Sequence, residues 1–566
     1  MESSFRVSDW RPVSPLKRLP FAARSLPVFR SDILIVGAGS AGLSAALAAA
    51  DEGSHVMVLA KGEASMSNTR YAQGGVAAAV GPDDDPKTHA ADTLRLGYGL
   101  SEADIVRNLT DAGPSTMDWL SSLGMAFDYC PSGNIELGRE GGHQVARILH
   151  SGGTATGHEL QRVLLAQVTQ HPRIDLFTFV TAVDFVKDSE GRVSGAVCMQ
   201  SKRGQSDFET VIFEATEVLL ATGGGGQLYR ETTNPQLATA DGLAMALRAG
   251  AVLQDLEFVQ FHPTILYLAG AARFLISEVV RGEGAILRNR AGHAFMQDYH
   301  ADRELAPRDV VSRAIYQQMF LSGDTHVNLD LSSVTRAEEH FPSLARIAAK
   351  FGIFIGSDPV PVRPAVHYLV GGVASDLDGQ TSIPGLWAVG ECASTGFHGA
   401  NRMGSNSLLE ALAHGRIVGR KMSELAGGVT RRFLLPPGRN ADETDGVELN
   451  LTDITYSLKS LMWRQVGIER DASGLQDAVD NLRTWCGFLS HLGPFTPAGV
   501  ETANMIQIGM AITRSALFRQ ESRGAHYRSD FAQTDPAWQV HSRMAFQDGQ
   551  VSLSTGRVRT PSELSG

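Results

Sequence analysis

Short apolar runs separated by polar turns mark the beginning of the chain. An apolar run at 32–36 is followed by a Gly-rich turn at 37–42, an alanine-rich segment at 43–50 and a second apolar run at 55–59. Apolar runs of about five residues are typical of buried strands, whereas an alanine-rich segment favours a helix. The pattern therefore predicts strand, helix and strand, the βαβ order of a nucleotide-binding domain.

Apolar runs of the same kind return much later, at 218–221 and 386–389. The long interval between them contains a stretch, 257–368, with its own mixture of short strands and helices. An inserted domain explains this spacing. We therefore predict an α/β, Rossmann-like domain formed by 31–256 and 369–440, with an α+β capping domain inserted at 257–368.

The pattern becomes helical towards the end of the chain. Apolar residues recur at helical spacing in 456–465, 475–489 and 498–518. A linker that contains Pro, Gly and Arg, at 435–440, precedes them. We predict a C-terminal helical bundle domain over 441–566.

Two polar segments are predicted to be solvated. Residues 1–30 carry several arginines and serines, which is typical of a flexible tail; an organelle transit peptide is the alternative, weakened by Glu2 and Asp9. The acidic run at 83–85 is predicted to be an exposed turn.

Composition and charge narrow the function. A chain of 566 residues exceeds the size of a single core, in agreement with several domains. The formal net charge of −11 argues against nucleic acid as a partner, so an anionic substrate would need a local cluster of cations.

The cysteines and the hydropathy indicate in which compartment of the cell the protein is expected. The four cysteines, Cys130, Cys198, Cys392 and Cys486, are scattered, which argues against a disulfide framework or a metal site and fits a reducing compartment. No apolar run is long enough to span a membrane. We expect a cytoplasmic protein without a metal.

The Gly-rich turn is the first candidate site. Gly37, Gly39 and Gly42 allow a tight turn before a helix, whose N-terminus favours a pyrophosphate. The second strand ends at Lys61 rather than at the acidic residue common in NAD sites. These residues alone leave open NAD, FAD or a turn that binds no ligand.

Four further motifs decide between these possibilities. They are Ser67-Asn68-Thr69-Arg70-Tyr71-Ala72-Gln73-Gly74-Gly75, Ala221-Thr222-Gly223-Gly224, Thr239-Ala240-Asp241-Gly242 and Gly390-Glu391. Together they resemble the flavoprotein family that includes succinate dehydrogenase, fumarate reductase and L-aspartate oxidase. The similarity extends from about residue 32 to residue 530, with the motifs in the family order. The resemblance implies that the chain binds FAD.

The resemblance also assigns the FAD contacts. The pyrophosphate would lie on Gly37, Ala38, Gly39, Ser40, Ala41 and Gly42, and the adenosine side near Lys61. The flavin and ribityl chain would contact the segment from Ser67 to Gly75, the carboxylates of Asp241 and Glu391, and Ser407 with Leu408. Membrane-bound respiratory members attach FAD through a histidine where this chain has Asn68, so the resemblance implies non-covalent FAD.

A dicarboxylate substrate needs two separate anchors, for which Arg and protonated His are suitable. The resemblance places His367 and Arg402 on one carboxylate, and His262 with the Ser277 hydroxyl on the other. It makes Arg308 the proton donor or acceptor, with a relay through Arg281 and Glu278. An arginine is nearly always protonated, so this base role comes from the resemblance alone. The alternatives are a structural role for His262 and surface ion pairs for Arg308 with Asp309 and for Arg281 with Glu283.

The segment 138–144 resembles the aspartate oxidase branch of the family. There, Glu140 corresponds to a carboxylate thought to meet the substrate ammonium; the alternative is a solvated loop residue. This resemblance implies oxidation of L-aspartate to iminoaspartate, with FAD reoxidised by O₂, giving H₂O₂, or by fumarate. The reaction would be the first step towards quinolinate and NAD, linked to quinolinate synthase. A succinate or fumarate flavoprotein subunit, or a flavin-binding protein without turnover, are the other hypotheses.

Overall fold

The structure is a computed structural model that describes residues 5–19, 26–201, 207–268, 273–426, 433–434, 449–489 and 495–559. The predicted linker at 435–440 lies outside the described residues. The strands in chain order are β1 (Phe5–Val7), β2 (Val28–Val36), β3 (Val56–Leu59), β4 (Val76–Ala77), β5 (Leu137–Gly138), β6 (Ile148–Leu149), β7 (Ile174–Phe177), β8 (Val180–Asp188), β9 (Val193–Ser201), β10 (Phe208–Leu220), β11 (Leu253–Gln254), β12 (Val259–Leu266), β13 (Phe274–Leu275), β14 (Ile286–Arg288), β15 (Val327–Asp330), β16 (Val360–Leu369), β17 (Gly372–Ala374), β18 (Leu386–Ala388), β19 (Ala393–Ser394), β20 (Phe433–Leu434), β21 (Val540–Gln547) and β22 (Gln550–Arg557).

The helices of the described residues follow the same chain order. They are α1 (Ser40–Asp51), α2 (Pro86–Leu96), α3 (Ala103–Asp111), α4 (Gly113–Ser122), α5 (Thr156–Gln170), α6 (Asp241–Ala249), α7 (Glu278–Gly282), α8 (Arg308–Ser322), α9 (Ala337–His340), α10 (Pro342–Ala349), α11 (Asn406–Leu425), α12 (Leu451–Gln465), α13 (Ala472–Leu489) and α14 (Pro497–Phe518).

A parallel sheet forms the centre of the nucleotide-binding domain. Strands β7, β3, β2 and β10 are parallel neighbours, and α1 connects β2 to β3 as predicted. The long strand β10 pairs with β9 in its first half and with β18 at its end. Strands β2, β3 and β18 are buried at the positions that the apolar runs predicted, because a parallel sheet covered on both faces selects continuous apolar sequence.

The inserted segment forms a second sheet with its own core. Strands β13, β12, β16, β15 and β14 are antiparallel neighbours in that order, and α7 to α10 belong to the same stretch of chain. Leu266, Phe295 and Leu329 are completely buried in this core. The fold class is therefore confirmed: a Rossmann-like domain, an inserted α+β cap and C-terminal helices. The domain boundaries given above stay predictions.

The C-terminal segment is more than a helical bundle. Helices α12, α13 and α14 lie where helical spacing predicted them, but the hairpin β21–β22 follows them. This hairpin belongs to a sheet of order β1-β22-β21-β11-β17-β19. The turn Asp548-Gly549 is a local signal for this hairpin that the prediction above did not use, whereas its neighbours β1 and β11 lie hundreds of residues away in the chain.

The N-terminal segment also differs from the prediction of a flexible tail. Its strand β1 pairs with β22, and Trp10 is only 3% exposed. Among its described residues, apolar side chains such as Trp10 and Leu19 join the main core. The tail prediction is wrong there because burial of these side chains outweighs the polar composition of the segment.

A buried charged histidine ties the hairpin to the nucleotide-binding domain. The His541 Nδ1 lies 2.5 Å from an oxygen of Asp255, and its Nε2 lies 3.3 Å from an oxygen of Glu102. Burial alone would lower the pKa of His541, but the two carboxylates outweigh it and raise the pKa to about 9. His541 therefore stays protonated at neutral pH.

We predict that deprotonation of His541 lowers the stability of the protein at alkaline pH. Because the pKa of His541 is higher in the folded protein than in the unfolded chain, its protonation stabilises the fold. This stabilisation is complete below the unfolded pKa of about 6.5 and is lost as the pH rises through the folded pKa of about 9. The thermal midpoint of the protein should decrease as the pH rises from about 6.5 to about 9, and His541→Gln should make this decrease smaller. The exposed His158→Gln is the control. Equal slopes for the protein and His541→Gln would contradict the prediction.

Candidate active site

One cavity of about 520 Å³ runs from the N-terminus of α1 to the cap. Its volume lies within the range of small-molecule and cofactor sites. The predicted residues that line it are Gly37, Ala38, Gly39, Ser40, Ala41, Lys61, Ser67, Asn68, Thr69, Tyr71, Ala72, Gln73, Gly74, Gly75, Glu140, Asp241, His262, Ser277, Glu278, Arg308, His367, Glu391, Arg402, Ser407 and Leu408. Residues as far apart in the sequence as Gly37 and Leu408 thus meet at one cavity.

Three predicted residues do not line the cavity. A Cβ on Gly42 would lie 2.0 Å from the Gly37 carbonyl oxygen, so this glycine serves the close packing of α1. Arg70 is half-buried and its backbone N–H donates to the Ser67 hydroxyl. Arg281 is buried behind Glu278. Direct contacts with a ligand in the cavity are therefore not supported for these three.

The nucleotide end of the cavity is built for close approach of an anion. Gly37 has a φ of +123°, and a Cβ there would lie 2.1 Å from the Ala221 carbonyl oxygen. Helix α1 begins at Ser40; its N-cap residue, Gly39, has no side chain to cap it, and the Ser40 N–H donates to Thr69 Oγ1. Gly39 and Ser40 line the cavity at this N-terminus, where free N–H groups and the helix dipole favour a phosphate.

Lys61 and Asp241 pair with each other at the adenosine side. The Lys61 Nζ donates to Asp241 Oδ2 at 2.7 Å and lies 2.8 Å from Glu501 Oε1. Burial would lower the pKa of Lys61, but Asp241 and Glu501 outweigh it, so the pKa is raised. Asn504 donates to the other oxygen of Asp241. Helix α14 therefore reaches the nucleotide site, which no local sequence signal indicated.

Polar atoms without protein partners mark the flavin region. Asn68 Nδ2 donates to Glu391 Oε2 at 3.0 Å, and the Leu369 N–H donates to Glu391 Oε1. In contrast, Asn68 Oδ1 and Thr222 Oγ1 are buried without a hydrogen-bond partner among the described residues. Because buried polar atoms are normally satisfied, both point to a bound polar group. The glycine cradle and these atoms fit a dinucleotide cofactor.

Arg402, at the end of the cavity opposite the N-terminus of α1, has a donor available for a carboxylate. Its Nε donates to Gln260 Oε1 and its Nη1 to Ser407 Oγ, and its guanidinium lies 4.8 Å from the Tyr368 ring centroid. The buried Nη2 has no partner in the described part of the chain. Burial and the nearby charge of Arg308 lower the pKa of Arg402 to about 10, so it remains a cation at neutral pH.

The two predicted histidines are neighbours, with ring centroids 5.3 Å apart. Burial, with the charges of Arg308 and Arg402, lowers the pKa of both His262 and His367 well below the usual value. Both imidazoles are therefore neutral at neutral pH, rather than the protonated donors expected from the sequence. His262 Nδ1 accepts from the Thr264 N–H at 3.3 Å, so its proton is on Nε2, which can still donate to a carboxylate.

Ser277 begins helix α7. Its Oγ accepts from the Val279 N–H at 3.4 Å, which leaves the hydroxyl hydrogen for a ligand. The residue also lines the cavity. The hydroxyl is therefore compatible with the predicted contact to the second carboxylate.

Arg308 lies between two buried carboxylates. Its Nε donates to Glu278 Oε2 at 2.8 Å, and its Nη2 is 3.9 Å from Glu140 Oε2. Arg281 Nη2 is 3.7 Å from the same oxygen of Glu278. Burial would raise the pKa of Glu278, but Arg308 and Arg281 outweigh it and lower the pKa. Asp309, the alternative partner of Arg308, instead accepts from Tyr98 and Asn401.

Glu140 is part of the cavity wall. Only 6% of the residue is exposed, and its Oε2 accepts from Ser405 Oγ at 3.0 Å. A Cβ on Gly74 would lie 3.0 Å from Glu140 Oε1, and one on Gly404 would lie 2.2 Å from Oε2. The alternative of a solvated loop residue is therefore wrong.

Several polar residues of the site were not predicted from the sequence. Gln260 receives a hydrogen bond from Arg402 and itself donates to Asn401, Ser405 holds Glu140, and Tyr368 stacks on Arg402. The acidic run at 83–85 is a turn with Asp83 and Asp85 exposed, as predicted, but the side chain of Asp84 is buried against Arg147. None of these residues stands out in the sequence because each acts through a residue distant in the chain.

Comparisons with known proteins agree with this cavity. The FAD binding domain family matches residues 32–408, and the fumarate reductase flavoprotein C-terminal family matches residues 497–563. An L-aspartate oxidase of Nostoc sp. is 40% identical over 90% of this chain and 92% of its own length. One of Streptomyces coelicolor is 40% identical over 90% of each chain. A solved E. coli quinol fumarate reductase superposes with a TM-score of 0.86 at 31% identity, covering 95% of this chain and 98% of its own.

The fold, the cavity and these matches define the class: an FAD-dependent oxidoreductase of the fumarate reductase type. Within that class, the chain belongs to the L-aspartate oxidase family, since relatives of that name are about 40% identical over nearly its full length.

Two other kinds of feature are absent from the described residues. There, no helix combines the length and the hydropathy needed to cross a bilayer. In the same part of the chain, no cluster of His, Cys, Asp and Glu could hold a metal ion. The four cysteines are unpaired thiols.

We predict that acid precipitation will release all of the flavin. The amide of Asn68 is a hydrogen-bond donor to Glu391 and has no ring nitrogen that could form a flavin bond. The absorbance of the supernatant should equal the flavin absorbance of the protein before precipitation. A yellow pellet, or flavin fluorescence that remains on the denatured chain in a gel, would refute non-covalent binding.

Proposed function

We propose that the protein oxidises L-aspartate to iminoaspartate with non-covalently bound FAD. The observation that carries this proposal is the buried carboxylate of Glu140, which faces the same cavity as Arg402 and Arg308. Such a cavity offers both cations for carboxylates and an anion for an ammonium. The family membership supports the same reaction.

The two substrate carboxylates would be held at separate positions. Arg402 and His367 would bind one of them, and His262 with Ser277 the other. The free Nη2 of Arg402 supports this assignment, as does the Nε2 hydrogen that the Thr264 contact leaves on His262. Neutral imidazole and hydroxyl donors add directional hydrogen bonds without further positive charge.

Glu140 would recognise the amine. A buried carboxylate opposite an ammonium forms a charge-assisted hydrogen bond, and such bonds are stronger than neutral ones. Ser405 fixes the carboxylate from one side, and Gly74 and Gly404 leave the space that it occupies. A dicarboxylate without an amine would offer no cation to this carboxylate, which would keep only its contacts with Ser405 and, at 3.9 Å, with Arg308, so its binding would gain less.

When bound, FAD would supply the acceptor for a hydride from the substrate Cα, with O₂, giving H₂O₂, or fumarate as the final oxidant. Formation of the imine also releases a proton from the substrate ammonium, and groups of the chain must take up this proton. Arg308 and Glu278 are in direct contact, and Arg281 adjoins the same Glu278 oxygen. This row of groups would carry the proton away from the substrate. Arg281 Nη1 also donates to the Glu304 carbonyl oxygen, which holds the end of the row in place.

The instability of the product indicates what kind of enzyme must act next. Iminoaspartate hydrolyses readily, so an enzyme that consumes it at once is required; quinolinate synthase, on the route to NAD, would be that enzyme. We place the reaction in the cytoplasm. The acidic net charge fits a small-molecule substrate rather than a nucleic acid.

A succinate or fumarate enzyme is the second candidate. The similarity to E. coli quinol fumarate reductase favours it, because a dicarboxylate pocket would serve both reactions. The buried anion of Glu140 counts against it, since no group of succinate would pair with that charge.

We predict that L-aspartate will reduce the bound flavin much faster than succinate. Without oxygen, the absorbance of oxidised flavin near ~450 nm should disappear on mixing with L-aspartate, because Glu140 stabilises the amine. Stopped-flow traces with each substrate at several concentrations give the two rate constants. Succinate that reduces the flavin as fast as L-aspartate would refute the proposed function.

We also predict that Glu140→Gln will separate the two substrates. Loss of one charged hydrogen bond, about 1.5–3 kcal/mol, should lower kcat/KM for L-aspartate by roughly tenfold to a hundredfold. Fumarate reduction by the same variant should change little, since fumarate has no amine. Glu136→Gln, at an exposed position nearby in the chain, is the matched control. Equal losses in both reactions would remove Glu140 from amine recognition.

A further inference from the structure

The loop between β5 and β6 carries Glu140 but has no helix or strand over residues 139–147. Backbone hydrogen bonds from the His143 N–H to Glu140 and from the Arg147 N–H to Gly138 shape the loop, and side-chain hydrogen bonds attach it to its surroundings. Two buried side chains of the loop, His143 and Arg147, supply them. Neither lines the cavity, so both can act on a substrate only through other residues.

Arg147 anchors one end of the loop. Its guanidinium donates to Asp84 at 2.7 and 2.9 Å and to Asp92 at 2.8 Å. Its side chain and those of both aspartates are completely inaccessible to solvent. The Gln144 N–H and side-chain amide also donate to Asp92. The loop is thus attached to α2 by a paired, buried charge network.

Arg147 also decides the tautomer of His143. Its Nη1 lies 3.0 Å from His143 Nδ1. Because a guanidinium can only donate, Nδ1 must accept, and the ring proton must be on Nε2. That Nε2 lies 3.0 Å from the Gly404 carbonyl oxygen, to which it donates. Burial lowers the pKa of His143 and keeps the ring neutral, as this arrangement requires.

The Gly404 contact joins two parts of the active site. Ser405, the next residue, donates to Glu140 Oε2 at 3.0 Å, and Arg402 lies two residues earlier in the same segment. A Cβ on Gly404 would lie 2.2 Å from Glu140 Oε2, so the segment and the carboxylate are in close contact. A displacement of this backbone would therefore change the distance between Glu140 and Arg402.

We propose that His143, held in one tautomer by Arg147, is a positioning residue that sets the separation of Glu140 and Arg402. It thereby determines the preference for an amino dicarboxylate over a dicarboxylate without an amine. The inference rests on the proposed function, because it requires Glu140 to meet the substrate ammonium. A displacement of about 1 Å is enough to weaken a well-oriented contact in an active site.

Three variants test this role. His143→Leu removes both hydrogen bonds, whereas His143→Gln retains a side-chain amide that can donate to the Gly404 carbonyl. The control is His414→Leu, since His414 is also completely buried and its Nε2 contacts the carbonyl oxygens of Asp376 and Leu377. His414 does not line the cavity.

The measurement compares two reactions of each FAD-loaded protein. These are the oxidation of L-aspartate and the reduction of fumarate by a reduced dye, with flavin content and thermal midpoint recorded for every sample. His143→Leu should lower kcat/KM for L-aspartate by roughly tenfold, mainly through KM, and change fumarate reduction by less than about threefold. His143→Gln should restore most of the ratio between the two reactions. His414→Leu should leave that ratio unchanged.

An equal loss of both reactions in His143→Leu would overturn the proposal, because it would indicate a purely structural role. Failure of His143→Gln to restore the ratio would overturn it as well. If His143→Leu yields no FAD-loaded protein, His143→Asn takes its place, since its shorter side chain moves the donor away from Gly404. A ratio higher in His143→Gln than in His143→Asn supports the proposal, and equal ratios contradict it.

The unmodified protein separates this inference from the proposed function. If it does not oxidise L-aspartate, the proposed function itself is wrong. If it does, and His143→Leu keeps the same ratio, only the positioning role of His143 is wrong.

Discussion

The burial of three arginines in one small region is the constraint on which the rest of the site depends. Arg281, Arg308 and Arg402 are each at most 8% exposed. Removing a charge from water is costly unless a partner compensates, and their mutual repulsion adds to that cost. Glu278 and Glu140 offset part of it. A substrate with two negative charges would offset more, so the same excess of positive charge favours its binding.

This excess charge also sets the protonation of its neighbours. Burial and, after it, this charge lower the pKa of His262 and His367, so that the imidazoles act as neutral donors. Burial would raise the pKa of Glu278, but the charge of Arg308 and Arg281 outweighs it and keeps this carboxylate ionised. The acid and base character of the site is thus a property of the cluster as a whole. Mutation of a single arginine would alter groups that it does not touch directly.

The compensating residues come from separate parts of the fold. Arg308 and Glu278 belong to the cap, whereas Arg402, Ser405 and Glu140 belong to the nucleotide-binding domain. Hydrogen bonds such as that from the Gly141 N–H to Glu278 cross between them. Because a charged group without its partner is unfavourable when buried, the cap and the domain stabilise each other at the site. Recognition of the amine therefore depends on the position of the loop that carries Glu140.

The sequence by itself determined the elements with strong local signals. The βαβ unit and the three C-terminal helices are local patterns of hydrophobicity, and local patterns report directly on secondary structure. The cofactor and substrate motifs were recognised by their resemblance to those of a known family. Only the tertiary structure decided that Glu140 and Asp84 are buried and that the tail and the hairpin β21–β22 share a sheet. It also decided that the histidines are neutral and that His143 has one tautomer. Burial, charge compensation and tautomer depend on partners distant in the chain, and no local pattern contains them.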